Sequence, residues 1–499
     1  MASFRDRGTL GDPAPEGSTV DAAAGGAGSR HAGERRAPSA LVAFAAVEAV
    51  AFVLFLAWGN NQWFRLDEWD FLVDREASDL KTLLEPHNEH WSTLPILVYR
   101  ALWQLFGLRT YVPYQLCSIV LHLIAAALLR AVMRRAGVDP WIATAAATLF
   151  ALLGAGSANI LWAFQIGFTG ALVLGLTHLL LADHDGPLDR RDWLGLAAGI
   201  AGLMCSGVAV TMSVVVGLAV LMRRGWRRAL FHTAPLAVLY LLWWTAFARD
   251  NYGSVARTPE TVAPFVRAGF SAAFDAMGQL PGLGLALGAT LVIGIVLRWR
   301  QLGGATFRKV AAAPLALLVG AIVFLVIAGA GRAAFFGPSF ARAGRYVHLV
   351  AALSLPALAL AADALVRRWR LLVPPVLLLL LAGIPGNLEY LAQREQREPH
   401  LLGDSSLMLA FPHVPGADNV PRDLVPLPEN ARQVTIGWLR DGVSSGRVPD
   451  PGVIGSATAA QATFRLSIYQ SDAPLPGSSC SRLSRPVERT LVKGQSIGI

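Results

Sequence analysis

The sequence predicts an all-α polytopic membrane protein with about eleven transmembrane helices, followed by a small β-rich C-terminal domain outside the membrane. Three observations support this fold class. First, 54% of the 499 residues are hydrophobic and only 15% are charged, whereas an ordinary soluble domain carries about 25% charged residues. Second, long apolar runs recur along the chain. Third, arginines collect in alternate turns between these runs. A soluble enzyme, a disordered protein and a fibrous protein are all disfavoured.

Residues 1–38 are rich in Gly, Ala, Pro, Ser and Arg and show no periodicity, which predicts a disordered cytoplasmic leader. The first apolar run begins only near residue 40 and is long enough to cross a bilayer, so we do not interpret the leader as a signal peptide. A transmembrane domain is expected over residues 39–390, with a large loop at 59–111.

The apolar runs have the length that membrane helices need. A bilayer core of about 30 Å requires around 20 helical residues. The candidate spans are 40–58, 112–133, 141–155, 160–182, 193–206, 207–222, 229–248, 280–297, 309–330, 346–366 and 371–388.

The arginines provide an independent test of these spans. If the N-terminus is inside, the even-numbered turns should carry the positive charge, and each of them does. The basic groups are Arg130, Arg134 and Arg135; Arg190 and Arg191; Arg223, Arg224, Arg227 and Arg228; Arg298, Arg300, Arg308 and Lys309; Arg367, Arg368 and Arg370. This pattern predicts a multi-pass protein with a cytoplasmic N-terminus and an extracytoplasmic C-terminal tail. The Ala-, Arg- and Gly-rich, Lys-poor composition is typical of a high-GC bacterium, so the expected membrane is the plasma membrane.

The net charge and the cysteine content limit the possible partners and the possible disulfides. The formal net charge of +9 arises mainly from short arginine tracts between apolar runs, which is how cytoplasmic loops are charged, so nucleic-acid binding is not expected. Membrane lipids are the expected neighbours. Cys117 and Cys205 lie in apolar runs and Cys480 stands alone, so no disulfide framework is predicted.

Residues 391–499 change character and are polar, with Pro- and Gly-rich stretches. Three short alternating runs predict strands of a small β-rich domain. They are 431–438, 462–469 and 486–498. The chain stops at Ile499 within the last run, so an incomplete domain is one expectation.

The loop at 59–111 carries the first candidate site. Asp67, Glu68 and Asp70 follow directly after the first span, and Asp67, Asp70 and Asp74 would share one face of a helix. A carboxylate that is desolvated beside apolar surface has a raised pKa, which suits proton abstraction from a hydroxyl group. The alternative is a solvated loop that is acidic without a catalytic role.

A second cluster follows in the same loop. It consists of His87, Glu89 and His90, of which His87 and His90 would face the same way within one helical turn. Three interpretations stay open, which are contact with a phosphate or sugar, a structural hydrogen-bonding role, and ligation of a divalent metal. The spacing matches no fixed metal-binding signature, so neither a metal nor another cofactor is assigned.

Three arginines lie in a predicted outer loop, against the positive-inside tendency. They are Arg332, Arg342 and Arg345. Arginine binds phosphate oxygens in a bidentate manner, so a lipid phosphate is the expected anion. Ordinary contact with lipid headgroups is the alternative. Gln165 opens the fourth span on the same side and is expected to line the same cavity.

These features resemble the GT-C glycosyltransferases, which use polyprenyl-phosphate-linked sugars and include protein O-mannosyltransferases and the aminoarabinose transferase of lipid A. The Asp67–Glu68 pair matches the acidic pair of their first outer loop, and the architectural resemblance covers about residues 40–390. It implies inverting sugar transfer to a glycan, lipid or protein acceptor of the cell envelope. Asp67 would be the general base, with Asp70 as substitute, and basic residues would hold the lipid phosphate.

Two other classes of function compete with this interpretation. A transporter or flippase of a lipid-linked glycan would be expected to show internal repeats and polar sites within its spans. The sequence shows no clear repeat and concentrates its polar residues at the outer surface. A non-catalytic protein of envelope assembly would leave the acidic loop without a task.

Overall fold

The computed structural model describes residues 21–249, 258–393 and 400–467, and within these ranges helices are joined by turns. No strand occurs in these ranges, where β-type pairing is confined to an isolated bridge between His87 and His90. The all-α membrane fold class is therefore confirmed for this part of the chain. In chain order the helices are α1 Asp21–Trp58, α2 Leu80–Leu84, α3 Thr93–Phe106, α4 Val112–Arg135, α5 Pro140–Ala151, α6 Ser157–Leu161, α7 Ile166–Ala182, α8 Arg190–Leu203, α9 Val208–Arg224, α10 Trp226–Trp243, α11 Pro259–Gly278, α12 Leu283–Leu302, α13 Gly304–Val310, α14 Ala312–Phe336, α15 Gly344–Arg368, α16 Val373–Leu381, α17 Ile384–Ala392, α18 His400–Ala410, α19 Ile436–Ser444 and α20 Ser456–Ser467.

Eight helical segments in the described ranges are long and apolar enough to cross a membrane. A ninth is present if α5 and the segment Gly154–Leu161, which are bent by 46°, form one broken span. The eight are Pro38–Trp58, Val112–Arg135, Ala163–Ala182, Trp226–Ala248, Leu283–Leu302, Ala312–Phe336, Gly344–Arg368 and Arg370–Ala392.

The predicted number of eleven spans is therefore too high by this measure. The runs at 193–206 and 207–222 become α8 and α9, which have 14 and 17 residues. At a rise of 1.5 Å per residue these helices reach roughly 21 and 26 Å, which is less than a bilayer core of about 30 Å. Both helices pack against α7 and α10. The first helix also begins at Asp21, inside the predicted leader, while residues 1–20 lie outside the described residues.

The predicted β-rich tail is wrong for the part of the tail that the structure describes. The run at 431–438 enters α19, where the Thr435 side chain caps the helix by accepting a hydrogen bond from the Trp438 backbone N–H. The run at 462–469 falls largely in α20, where Ala462 and Leu466 are buried one helical turn apart. In the second run the buried residues thus follow helical spacing, which overrides a short alternating pattern. The run at 486–498 lies outside the described residues.

Residues 400–467 share a hydrophobic core with the loop at 59–111. Trp438 of α19 stacks on Trp103 of α3, with ring centroids 4.9 Å apart, and meets Trp69 edge-on at 6.3 Å. The Leu108 backbone N–H donates to the Arg447 carbonyl at 2.8 Å. The tail therefore forms a lid of helices on the loop. We call the end of the bundle that carries this loop the loop end.

Three helices begin at the loop end and finish in arginines at the opposite end. The last turns of α4, α9 and α15 carry Arg134 and Arg135, Arg223 and Arg224, and Arg367 and Arg368. Four of these arginines form ion pairs there, namely Arg135, Arg223, Arg224 and Arg367. Asp183 pairs with Arg135 and Arg223, and the buried Asp363 pairs with Arg367 at 2.5 Å.

Helix α15 lies at the centre of the bundle, and 94% of its apolar membrane-spanning stretch is buried. Its sequence is rich in Ala, so neighbouring helices approach its backbone closely. The closest approach is made by Gly294 of α12, where an added methyl carbon would lie 2.6 Å from Ala361 Cα. The small residue is therefore required for α12 to pack on α15.

Gly294→Ala should lower the free energy of unfolding by about 1–3 kcal/mol, because the added methyl group must push the two helices apart. Thermal unfolding of the purified protein in detergent measures the effect. Gly288→Ala on the same helix is the matched control, because an added methyl there meets nothing within 4 Å. Equal melting temperatures for the two variants would contradict this account of the packing.

Candidate functional site

A cavity of about 90 Å³ lies at the loop end, between the loop at 59–111 and the first turns of α7, α9 and α15. Six of the residues singled out in the sequence line it. They are Asp67, His87, His90, Gln165, Arg332 and Arg345. Segments that are far apart in sequence therefore converge on one polar hollow.

Glu68 lies behind the cavity wall and is fully buried. Its Oε1 accepts hydrogen bonds from the hydroxyl groups of Tyr99 at 2.6 Å and Tyr111 at 2.9 Å. Its Oε2 accepts from the Trp162 indole N–H at 3.0 Å and from the Arg65 backbone N–H at 2.9 Å. Glu68 thus ties the acidic loop to α3, to the start of α4 and to the turn before α7.

The pKa of the Glu68 carboxyl group is raised to about 7. Burial raises this pKa, because a charged group loses its hydration, while the hydrogen bonds from Tyr99 and Tyr111 oppose the shift. Glu68 therefore holds the loop in place through its hydrogen bonds and has a raised pKa. It lies next to Asp67 in sequence but outside the cavity.

Asp67 has a side chain that is 44% exposed and lines the cavity. The preceding Leu66 has a φ of 50°, a left-handed conformation that is costly for a branched side chain. Its backbone N–H is held by Asn430 of the tail, which accepts through its backbone carbonyl at 3.1 Å and through its Oδ1 at 3.2 Å. Contacts from residues 400–467 therefore fix the backbone that presents Asp67.

Asp70 is turned away from the cavity and binds His87 instead. Its Oδ2 lies 2.6 Å from His87 Nδ1 and accepts from Arg75 Nε at 3.2 Å. The other His87 ring nitrogen, Nε2, lies 3.9 Å from Asp67 Oδ1. The two aspartates thus contact opposite sides of one imidazole.

His87 and His90 face the cavity because of a tight turn, and not because of the helical turn expected from their spacing. The backbone N–H of each donates to the carbonyl of the other at 3.0 Å. Asn88 has a φ of 51°, which asparagine tolerates better than most residues. Burial, together with the positive charge of Arg332, lowers the pKa of His90 to about 4, so His90 is neutral at pH 7.

The arginines divide into two groups. Arg332 donates to Glu89 Oε2 at 2.7 Å, and Arg345 lies with its guanidinium carbon 5.2 Å from the centroid of the Tyr346 ring. Both line the cavity. Arg342 does not, since it lines a separate surface hollow beside Arg267.

A larger cavity of about 540 Å³ adjoins the first one, between α9, α10 and α14. Its walls are mainly apolar, with Val208, Phe324, Ile327 and Phe335 among them. The two cavities share four residues, which are His90, Phe168, Arg332 and Tyr346. The smaller, polar cavity therefore adjoins the larger, apolar one, and Arg332 lies in the walls of both.

The donor set in the loop does not fit a metal ion. Glu89 is paired with Arg332, and His87 Nδ1 is taken by Asp70. In the part of the chain that the structure describes, three ligand atoms meet only at His184, Asp189 and Asp192. Arginines compensate those carboxylates, since Arg191 binds Asp189 and Arg224 binds Asp192. Neither group of residues is therefore assigned a metal ion.

The sequence reasoning missed several wall residues, among them Phe71, Ser206 and Tyr346. Ser206 lies in the break between α8 and α9, where a serine just before an apolar run signals a helix start. Phe71 and Tyr346 carry no such signal. Comparison with family models, curated proteins and solved structures gives no match to this chain.

Glu68→Gln should weaken the dependence of stability on pH. In the folded protein the pKa of Glu68 is about 7, against an ordinary value of 4.5. Between these values only the unfolded chain has lost the proton, so stability falls as the pH rises from about 4.5 to about 7 and levels off above it. Melting temperatures measured from about pH 5 to about pH 8 should fall less in the variant than in the wild type.

The matched control for this measurement is Glu76→Gln, an exposed position in the same loop. It should keep the wild-type slope of melting temperature against pH. If Glu68→Gln also keeps that slope, Glu68 does not titrate as described.

Proposed function

We propose that this protein is an integral membrane glycosyltransferase that moves a sugar from a polyprenyl-phosphate donor to an acceptor of the cell envelope. The observation that carries the proposal is the junction of a polar cavity with an apolar one at Arg332. A lipid-linked sugar phosphate has the same order of parts, with a polar sugar, an anionic phosphate and an apolar chain. The GT-C resemblance of the acidic pair supports the same assignment.

The phosphate would lie between Arg332 and Arg345. Guanidinium groups bind phosphate oxygens through paired N–H donors. Among the described residues no carboxylate pairs with Arg345, so its charge is available to an anion. The polyprenyl chain would extend along Phe324, Ile327 and Phe335 in the larger cavity.

The sugar and the acceptor would occupy the smaller cavity. Two polar atoms of its lining residues are buried without a hydrogen-bond partner, Gln165 Oε1 and His87 Nε2. Buried polar groups are nearly always hydrogen-bonded, so unpaired ones at a cavity favour a polar ligand there. Asp67 would act as general base, taking the proton of an acceptor hydroxyl as the glycosidic bond to phosphate breaks.

The orientation in the membrane follows from charge. The arginines at the ends of α4, α9 and α15 lie opposite the cavity, and the positive-inside rule assigns that end to the cytoplasm. The cavity and residues 400–467 would then face the outside of the plasma membrane. Sugar transfer on that side requires a lipid-borne donor, which agrees with the apolar cavity.

Asp67→Asn should lower the rate of sugar transfer by about 10²–10⁴-fold, the usual contribution of a general base. The assay follows sugar release from polyprenyl-phosphate sugars by the purified full-length protein. Glu76→Gln should leave the rate unchanged, because this exposed residue does not line the cavity. Unchanged turnover in Asp67→Asn would remove Asp67 from this role, and no turnover with any donor would favour a transporter of lipid-linked glycans.

Arg345→Gln should weaken binding of the donor by roughly 10–100-fold, because a hydrogen bond between charged groups contributes about 1.5–3 kcal/mol. The measurement is the dissociation constant for a short-chain polyprenyl phosphate. Arg342→Gln, three residues away and outside the cavity, is the matched control and should bind like the wild type. Equal losses in both variants would point to a general effect of surface charge.

A further inference from the structure

The cavity contains a buried imidazole with one unused nitrogen. His87 is 9% exposed, and its Nδ1 is bound by Asp70. Its Nε2 is enclosed and has no hydrogen-bond partner among the described residues. An unpaired ring nitrogen in a polar cavity is available to a proton or to a ligand.

The bond between Asp70 and His87 determines which nitrogen carries the hydrogen. Burial raises the pKa of Asp70, but the hydrogen bond and charge of His87 and the charge of Arg75 outweigh it, and the net shift is downward. Asp70 is therefore ionised at neutral pH and can only accept hydrogen bonds. The hydrogen of neutral His87 then lies on Nδ1, and Nε2 keeps its lone pair.

The Asp70–His87 pair is held in a fixed arrangement by its neighbours. Arg75 donates to Asp70, and its remaining nitrogens donate to the backbone carbonyls of Thr82 at 2.6 Å, Glu85 at 3.1 Å and Pro86 at 3.1 Å. The His87 ring is also enclosed by Phe71 and Phe164, with centroids at 5.1 and 5.3 Å. The imidazole therefore has one orientation, with Nε2 on the side of Asp67.

We propose that His87 is the residue that stores the proton released during sugar transfer. This inference rests on the proposed function and adds an acid–base partner to Asp67. The acceptor oxygen forms a bond to the anomeric carbon, and the bond from that carbon to the phosphate oxygen breaks with its electron pair going to the phosphate. The hydroxyl proton passes to Asp67 and then, through one bridging water, to His87 Nε2, because the 3.9 Å between Asp67 Oδ1 and this nitrogen is too long for a direct transfer.

The direction of the second proton transfer follows from basicity. An imidazole is a stronger base than a carboxylate in water, so the second transfer runs from the carboxylate to the imidazole. The imidazolium that forms is stabilised by the ionised Asp70, as in other Asp–His pairs. It then returns the proton to the departing phosphate or to water, and the site is restored.

The charged and titratable groups around His87 are consistent with this role. Asp67 and Asp70 face it from either side. Arg332, Arg345 and His90 share the cavity, and His90 stays neutral because burial and the charge of Arg332 lower its pKa to about 4. His87 is therefore the imidazole of this cavity that is placed to accept a proton.

The test is the pH profile of sugar transfer by the full-length protein in lipid nanodiscs. A base that must accept a proton cannot act once it is already protonated, so the wild-type rate should fall on the acidic side of the profile. His87→Gln should lose about 10²–10⁴-fold in kcat and lose this acidic limb, with KM for the donor changed less than about threefold. Unchanged kcat and an unchanged acidic limb in His87→Gln would overturn the inference.

Asp70→Asn is a second variant that keeps the imidazole. An amide can donate to Nδ1 and so favours the opposite tautomer, which places the hydrogen on Nε2. It should lower kcat and move the acidic limb to lower pH, because a stabilising negative charge is lost. Glu76→Gln serves again as the control, and melting temperatures confirm that each variant is folded.

Nitrogen NMR of the protein with labelled histidine separates this inference from the proposed function. The resonances of His87, assigned by their loss in His87→Gln, should show that the neutral ring carries its hydrogen on Nδ1 and none on Nε2, whether or not a donor has been found. If the wild type transfers no sugar, the proposed function fails, and the NMR result alone then decides the state of His87. A hydrogen on Nε2 in the neutral ring would contradict the assignment.

Discussion

A single buried carboxylate organises the loop end of this protein. Glu68 collects four hydrogen bonds, three from side chains that lie 31, 43 and 94 residues further along the chain. A buried carboxylate is costly unless its oxygens are satisfied, so this set of donors has one stable arrangement. The positions of Asp67 and Asp70, on either side of Glu68, are consequences of that arrangement. Of the Asp67–Glu68 pair, Glu68 thus holds the loop in place and Asp67 faces the cavity.

The second organising feature is the direction of the helices. The segments that open at the cavity, before α7, α9 and α15, begin with polar or small residues and end in charged residues at the far end of the bundle. Charge is therefore concentrated at both ends, and the centre of the bundle is filled with Ala and Leu. The apolar cavity between α9, α10 and α14 lies beside the polar one, so an amphipathic ligand can contact both without crossing the core.

The sequence predicts the membrane fold class well, because hydropathy and arginine placement are summed over many residues. It predicts the individual elements less well where only a short stretch of residues supplies the signal. The runs at 193–206 and 207–222 have span-like composition, but a turn ending at Gly207 and the arginines at 223 and 224 limit them to short helices. The strands predicted in the tail become helices because tertiary packing against the loop selects the helical face. The Asp70–His87 contact joins residues 17 positions apart through an irregular loop, and no local periodicity encodes such a contact.

The hydrogen bonds from Leu66 to Asn430 join positions separated by 364 residues. A ribosome inserting this chain into a membrane would synthesise nearly all the helices before Asn430 emerged. Until then the left-handed backbone before Asp67 has no partner to hold it. The backbone that presents Asp67 is therefore completed only near the end of synthesis, once Asn430 is available to accept from Leu66. A chain truncated before Asn430 would keep most of its helices but lack the contact that fixes this wall of the cavity.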